Sequence, residues 1–233
     1  MEYDVKSTNK KLLITAGHYG SGKTNLAVNL ALALKAAGEK SVSLCDADIV
    51  NPYFRTKDSE DVLERGGVKL IAPQFANTNL DIPSMPPEIN SVFDDQRVRA
   101  VFDVGGDDSG AVALGQYAAQ FDKAGYEMFL IVNAHRFLTR EPEMLLEFVY
   151  DMECASHLKF TSIVNNTNIG RETTEEVLLS SLEYIRRTSE LLKLPVAFTA
   201  IERTLLEKLR ISGNIPDINI FPITVYGKKD WIL

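Results

Sequence analysis

The stretch Gly17-His18-Tyr19-Gly20-Ser21-Gly22-Lys23-Thr24 decides how the rest of the chain is read. It satisfies the phosphate-binding pattern G-x-x-x-x-G-K-[ST]. Ahead of it, Lys11 to Ala16 is a short apolar segment that reads as a strand. After it, the Ala/Leu-rich segment Asn25 to Ala37 reads as a helix, closed by Gly38 at the C′ position. Strand, glycine loop and helix is the setting the motif requires. Glycines let backbone N–H groups crowd around a polyphosphate without side-chain clashes, and the helix start adds a positive partial charge. Lys23 is placed to reach the β- and γ-phosphates, and Thr24 to put its hydroxyl on Mg²⁺. The motif points to a nucleoside triphosphate, bound by Gly17 to Thr24 together with Asn25.

The chain has 233 residues, 45% of them hydrophobic and 24% charged, which suits one α/β domain with a full core. A net charge of −7 and a pI near 5.1 argue against a large nucleic-acid footprint. The start, Met1-Glu2-Tyr3-Asp4-Val5-Lys6, carries acids and no apolar core, unlike a signal peptide. No apolar run approaches the ~20 residues of a membrane span. Cys45 and Cys154 are far apart, with no C-x-x-C pair, which suits a reducing cytoplasm and gives no metal-site signal.

Apolar runs alternate with helical patterns along the whole chain. Strands are expected at Ser41 to Cys45, Val68 to Ala72, Val98 to Phe102, Glu127 to Val132, Phe160 to Val164, Pro195 to Ala200 and Ile218 to Ile223. Ala111, Leu114, Ala118 and Phe121 share one helix face, and Met144 to Val149 and Thr174 to Leu192 are further helices. This alternation predicts an α/β fold: a mostly parallel sheet covered by helices on both faces, in the three-layer P-loop NTPase architecture. Ligands then bind beyond the carboxyl ends of the strands. The proline-containing stretch from Asn51 to Arg97 breaks the rhythm as a loop-rich insertion. It reads either as a lid or partner surface, or as a longer connection that only packs.

An NTPase needs carboxylates near the triphosphate to hold Mg²⁺ and to position the attacking water. Asp46 and Asp48, two apart at the end of the second strand, face the same side. Asp103, ending Val101-Phe102, is the Walker-B-type acid, and Gly105 and Gly106 after it allow a backbone N–H to swing towards a γ-phosphate. Asp107 and Asp108 read as solvated loop residues or a helix cap. His157 has no companion for a metal. His135-Arg136 reads as a strand-end loop, and nothing ties Arg55, Arg97 or Arg99 to phosphate.

From Leu12 to about Thr224 the chain resembles the MinD/ParA branch of P-loop ATPases, in the SIMIBI class, which includes the nitrogenase iron protein and Mrp-type iron–sulfur carriers. The resemblance rests on the glycine loop, on Asp46-Ala47-Asp48-Ile49-Val50-Asn51-Pro52 (similar to the D-x-D-x-x-x-P switch I segment) and on Asp103-Val104-Gly105-Gly106 (similar to the D-x-x-G switch II). Asn165-Asn166 sits where relatives place an adenine-contacting Asn. Ala200-Ile201-Glu202-Arg203 resembles the loop that closes over the base. Relatives commonly write the loop G-K-G-G-x-G-K-T, whose first lysine reaches across a dimer. This chain has His18 and Tyr19 at that position and the next, and it lacks the cysteines that carry the iron–sulfur cluster.

The resemblance implies a Mg²⁺-dependent ATPase acting as a nucleotide-controlled switch. Lys23, Asp48 and Asp103 would be its catalytic groups, and Thr24, Asp46 and Asp103 its metal-binding groups. Asn165, Asn166, Ile201 and Glu202 would contact the base. The implied partner is a nucleotide-dependent second copy or another protein. Asn165-Asn166-Thr167-Asn168 lacks the Lys and Asp of a guanine-type N-K-x-D, and its amides suit adenine. Two other readings stay open: a biosynthetic kinase or ATP-dependent ligase resembling dethiobiotin synthetase, and an ATP-binding scaffold with negligible turnover.

Overall fold

The computed structural model describes residues 1–48, 57–72, 85–106 and 108–226. Each apolar run became a strand: β1 Leu12–Ala16, β2 Ser41–Ala47, β3 Lys69–Ile71, β4 Val98–Val104, β5 Tyr126–Val132, β6 Ser162–Asn165, β7 Val196–Glu202 and β8 Ile220–Ile223. They form one sheet in the order β3-β2-β4-β1-β5-β6-β7-β8, with every pairing parallel. Its central strands are buried on both faces, which is why they read as unbroken apolar runs rather than as alternating ones.

Helices close both faces. Among the described residues these are α1 Lys23–Ala36, α2 Lys57–Arg65, α3 Asn90–Asp94, α4 Asp108–Gly115, α5 Ala118–Ala124, α6 Met144–Ser156, α7 Glu175–Leu192 and α8 Arg203–Ser212. One face packs Leu13, Leu44 and Val101 against Leu26, Leu30 and Leu34 of α1. The other packs Ile14, Phe102 and Leu130 against Leu114 of α4, Phe121 of α5 and Phe148 of α6. The α/β expectation of a parallel sheet with two helical layers therefore holds. α1 ends as its glycine foretold. Gly38 takes φ 94°, its N–H reaches Lys35 O at 3.0 Å, and Glu39 N–H reaches Leu34 O at 3.2 Å, the double closure of a Schellman turn.

Two expectations needed correction. The stripe Ala111, Leu114, Ala118 and Phe121 is not one helix but α4 and α5. α4 stops at Gly115, where a Cβ would come within 2.7 Å of Ala155 O on α6. Within the 51–97 stretch the described residues form α2 and α3 beside the expected strand β3. The segment Ala200 to Arg203 is no loop: β7 runs to Glu202 and α8 begins at the next residue. The rest of the switch I segment after Asp48, with Arg55, Asp107 and the tail after Tyr226, lies outside the described residues. No helix among the described residues is long and apolar enough to cross a membrane.

Candidate functional site: a phosphate loop, a carboxylate row and a side cleft

The glycine loop joins β1 to α1 at the carboxyl edge of the sheet, beside β4 and β5. Gly22 caps α1 with φ 89°, a left-handed conformation, and contributes no side-chain cap. A Cβ there would run into the side-chain amide of Asn166, so glycine is required on both counts. That amide donates to Ser21 O at 2.7 Å, tying the loop to the end of β6. Lys23 Nζ donates to His18 O at 3.1 Å, so the lysine lies back over the loop it belongs to. The first turn of α1 contains no acidic residue, leaving its positive end for an anion.

Beneath the loop three polar side chains form a row. Thr15 pairs in register with Asp103 across β1 and β4, and Asp103 with Asp46 across β4 and β2. All three are buried and share the α1 face of the sheet with Leu13, Val101 and Leu44. Desolvation pushes the Asp103 carboxyl up to about 6, opposed by hydrogen bonding to Thr24 and by the nearby Lys23 charge, with Asp48 adding to the rise. Thr15 Oγ1 lies 3.4 Å from Asp103 Oδ1. The Asp48 backbone N–H donates to Asp46 Oδ1 at 3.0 Å, curling the chain back as it leaves β2. Asp46, Asp48, Asp103, Lys23 and Thr24 thus converge on one edge.

Among the described residues no three His, Cys, Asp or Glu side chains gather into a metal cage. Mg²⁺ does not need one, because it takes one or two carboxylates and completes its shell with water and phosphate oxygens. A buried carboxylate with a raised pKa, bonded to the Thr24 hydroxyl, is a hard oxygen donor pair that a divalent cation would relieve. The residues present fit the ion.

Gly106, two residues beyond the end of β4, touches the loop directly. A Cβ at Gly106 would lie 2.8 Å from Tyr19 N and 2.9 Å from Gly17 O. His18 takes a different course from a lysine reaching outward. Its ring lies 4.1 Å from that of Phe148 on α6, and burial followed by the Lys23 charge lowers its pKa. Tyr19 is exposed, and the Arg136 side chain lies over Gly20. Arg97 and Arg99 sit at the opposite end of β4, paired with Asp95 at 2.8 Å and Glu39 at 3.2 Å.

On the other side of α1, a cleft of about 180 Å³ lies between Gly22 and Asn25 on one wall and Asn166, Ile201 and Glu202 on the other. The Asn25 Oδ1 is occupied by the Tyr226 N–H at 2.8 Å. Asn165 does not line the cleft. It is fully buried, donating to Ser181 Oγ of α7 at 2.9 Å and accepting from Thr167 N–H at 3.1 Å. Asn168 spends its carboxamide on Asn166 O and Gly170 N–H. Arg171 and Lys208, which sequence reasoning did not single out, line the cleft. Lys208 carries a signal that was available, four residues after Thr204 on one face of α8.

No protein-family model and no curated protein matches the chain. Solved structures do. The cell division protein FtsY of Thermotoga maritima is 18% identical, covering 86% of this chain and 64% of that one, with a TM-score of 0.57. FtsY of Mycoplasma mycoides is 17% identical over 83% and 60%, with a TM-score of 0.53. The signal recognition particle receptor FtsY of Elizabethkingia anophelis is 19% identical over 82% and 59%, with a TM-score of 0.50. The chain spans about three fifths of the length of these structures. What they share with it is the fold, an α/β P-loop NTPase architecture built on a parallel sheet.

Proposed function

We propose that this chain is a Mg²⁺-dependent ATPase of the MinD/ParA type that works as a nucleotide-controlled switch. The observation that carries the reading is the convergence of Lys23 and Thr24 from α1 with Asp103 from β4 and Asp46 from β2 under one glycine loop. In this account Lys23 leaves His18 O and, with the loop amides, stabilises charge on the β- and γ-phosphates. Thr24 would hold the cation directly, with Asp103 and Asp46 placed to hold its waters. Mg²⁺, when bound, neutralises the phosphate oxygens. Asp48 orients the attacking water. Gly106, pressed against the loop, reads the γ-phosphate.

The side cleft beside Asn166, Ile201 and Glu202 suits the base. Asn166 commits its amide nitrogen to Ser21, and its carbonyl oxygen is left to take the adenine amine. Asn165 acts one shell further out, fixing β6 to α7. The fold shared with FtsY supports nucleotide binding in general; the preference for ATP rests on the missing N-K-x-D. Molar mass by light scattering, with Mg²⁺ and ATP, a non-hydrolysable analogue, GTP, ADP or no nucleotide, tests the switch. A dimer with the ATP forms alone supports it. An unchanged mass with ATP demonstrably bound overturns switching by self-association, and tighter GTP binding overturns the base assignment.

A further inference from the structure

A second cleft, of about 360 Å³, opens on the other flank of the glycine loop, within the volume range of small-molecule sites. One wall is the loop itself, His18 with the neighbouring Gly106; the other is α6. Its floor is apolar: Phe148 and Met152 are buried there, and Met144 lies beside them. Glu147 and Asp151 stand at its rim, four residues apart on one face of α6. Like charges at that spacing oppose each other, and neither carboxylate has a salt-bridge partner among the described residues. A cation between them would relieve the repulsion while an alkyl or aryl body covers the floor.

We propose that this cleft binds a small amphipathic amine, its ammonium between Glu147 and Asp151 and its apolar body on Phe148 and Met152, and that the phosphate loop senses its presence. The path is short. The His18 ring rests on Phe148 at 4.1 Å, and the His18 carbonyl holds Lys23 Nζ at 3.1 Å. Gly106 is wedged against Gly17 and Tyr19. Filling the cleft therefore bears on the lysine and on switch II together. This coupling rests on the nucleotide reading above; the binding itself does not.

The chain has five methionines, and Met144 and Met152 are the two in the cleft. Methyl-labelled methionine NMR can follow titrations with hexylammonium, hexanol and hexanoate. Hexylammonium is expected to move the Met144 and Met152 signals and leave that of Met128 in place. Glu147→Gln with Asp151→Asn is expected to weaken hexylammonium at least tenfold and hexanol little. A saturating non-hydrolysable ATP analogue with Mg²⁺ is expected to change the hexylammonium affinity severalfold. Equal responses to hexanoate and hexylammonium, or none, overturn the proposal. So do Met144 and Met152 signals that move with protein concentration alone, which would place a second copy over the cleft. Nucleotide binding is read in the same samples from the analogue's own resonances: if the analogue fails to bind while the amine binds, the nucleotide reading falls and this site stands.

Discussion

Replacing Asp103 by asparagine is expected to stabilise the metal-free, nucleotide-free protein while removing its function. The Asp103 carboxyl is buried, and desolvation raises its pKa from 3.8 to about 6. A carboxyl whose folded-state value exceeds its unfolded value costs stability above the folded value, and the cost vanishes as pH falls through the unfolded one. At about 1.4 kcal/mol per pH unit, the rise amounts to about 3 kcal/mol at pH 7.5, a ceiling because asparagine must keep the contacts to Thr15 and Thr24. Urea unfolding in EDTA at pH 7.5 and at pH 4 measures it. Asp103→Asn is expected to gain about 1 to 3 kcal/mol at the higher pH, equivalent to roughly 2–12 °C in a thermal midpoint for a chain of this size, and about 0.5 kcal/mol or less at pH 4. Mg²⁺ with nucleotide should stabilise the wild type and not the variant. A gain that is absent at pH 7.5, or equal at the two pH values, would refute the reasoning.

Gly22→Ala forces a side chain into a left-handed residue, at about 1–2 kcal/mol, and pushes on the Asn166 amide; calorimetry should show nucleotide affinity down at least tenfold. Asn165→Ala leaves the buried Thr167 N–H without its acceptor, so chemical denaturation should register a loss of about 1–3 kcal/mol, with the ATP dissociation constant within threefold of wild type. Leu30→Ala, in the fully buried stripe of α1, should cost about 2–5 kcal/mol in the same assay without altering base preference.

The eight strands were legible because a sheet buried on both faces writes itself as short apolar runs, and the glycine loop because its residues have few substitutes. α2 was hidden because only Leu63 and Ser59 of its described side chains are buried, too little to set a helical period. α8 went unread, although Leu205, Leu206 and Leu209 are spaced for one face; the likeness to a base-closing loop ended at Arg203 and placed no helix after it. The split between α4 and α5 falls at Gly115, which lies close against α6, a tertiary contact that no local pattern announces. The same limit applies at the site. Asn165 and Asn166 are adjacent and chemically identical, yet one faces α7 and the other the phosphate loop. Only the direction of the last residue of β6 separates the two. His18 marked a departure from the lysine of similar loops; its packing on Phe148 emerges only when α6 is in place.

Single-turnover release of phosphate from ATP, in the wild type and in Lys23→Ala, tests the central claim most directly. The account predicts Mg²⁺-dependent cleavage by the wild type, abolished by EDTA and reduced roughly hundredfold or more by Lys23→Ala, with the variant still folded. ATP bound without cleavage in the wild type, or cleavage at a rate indifferent to Lys23, would contradict it.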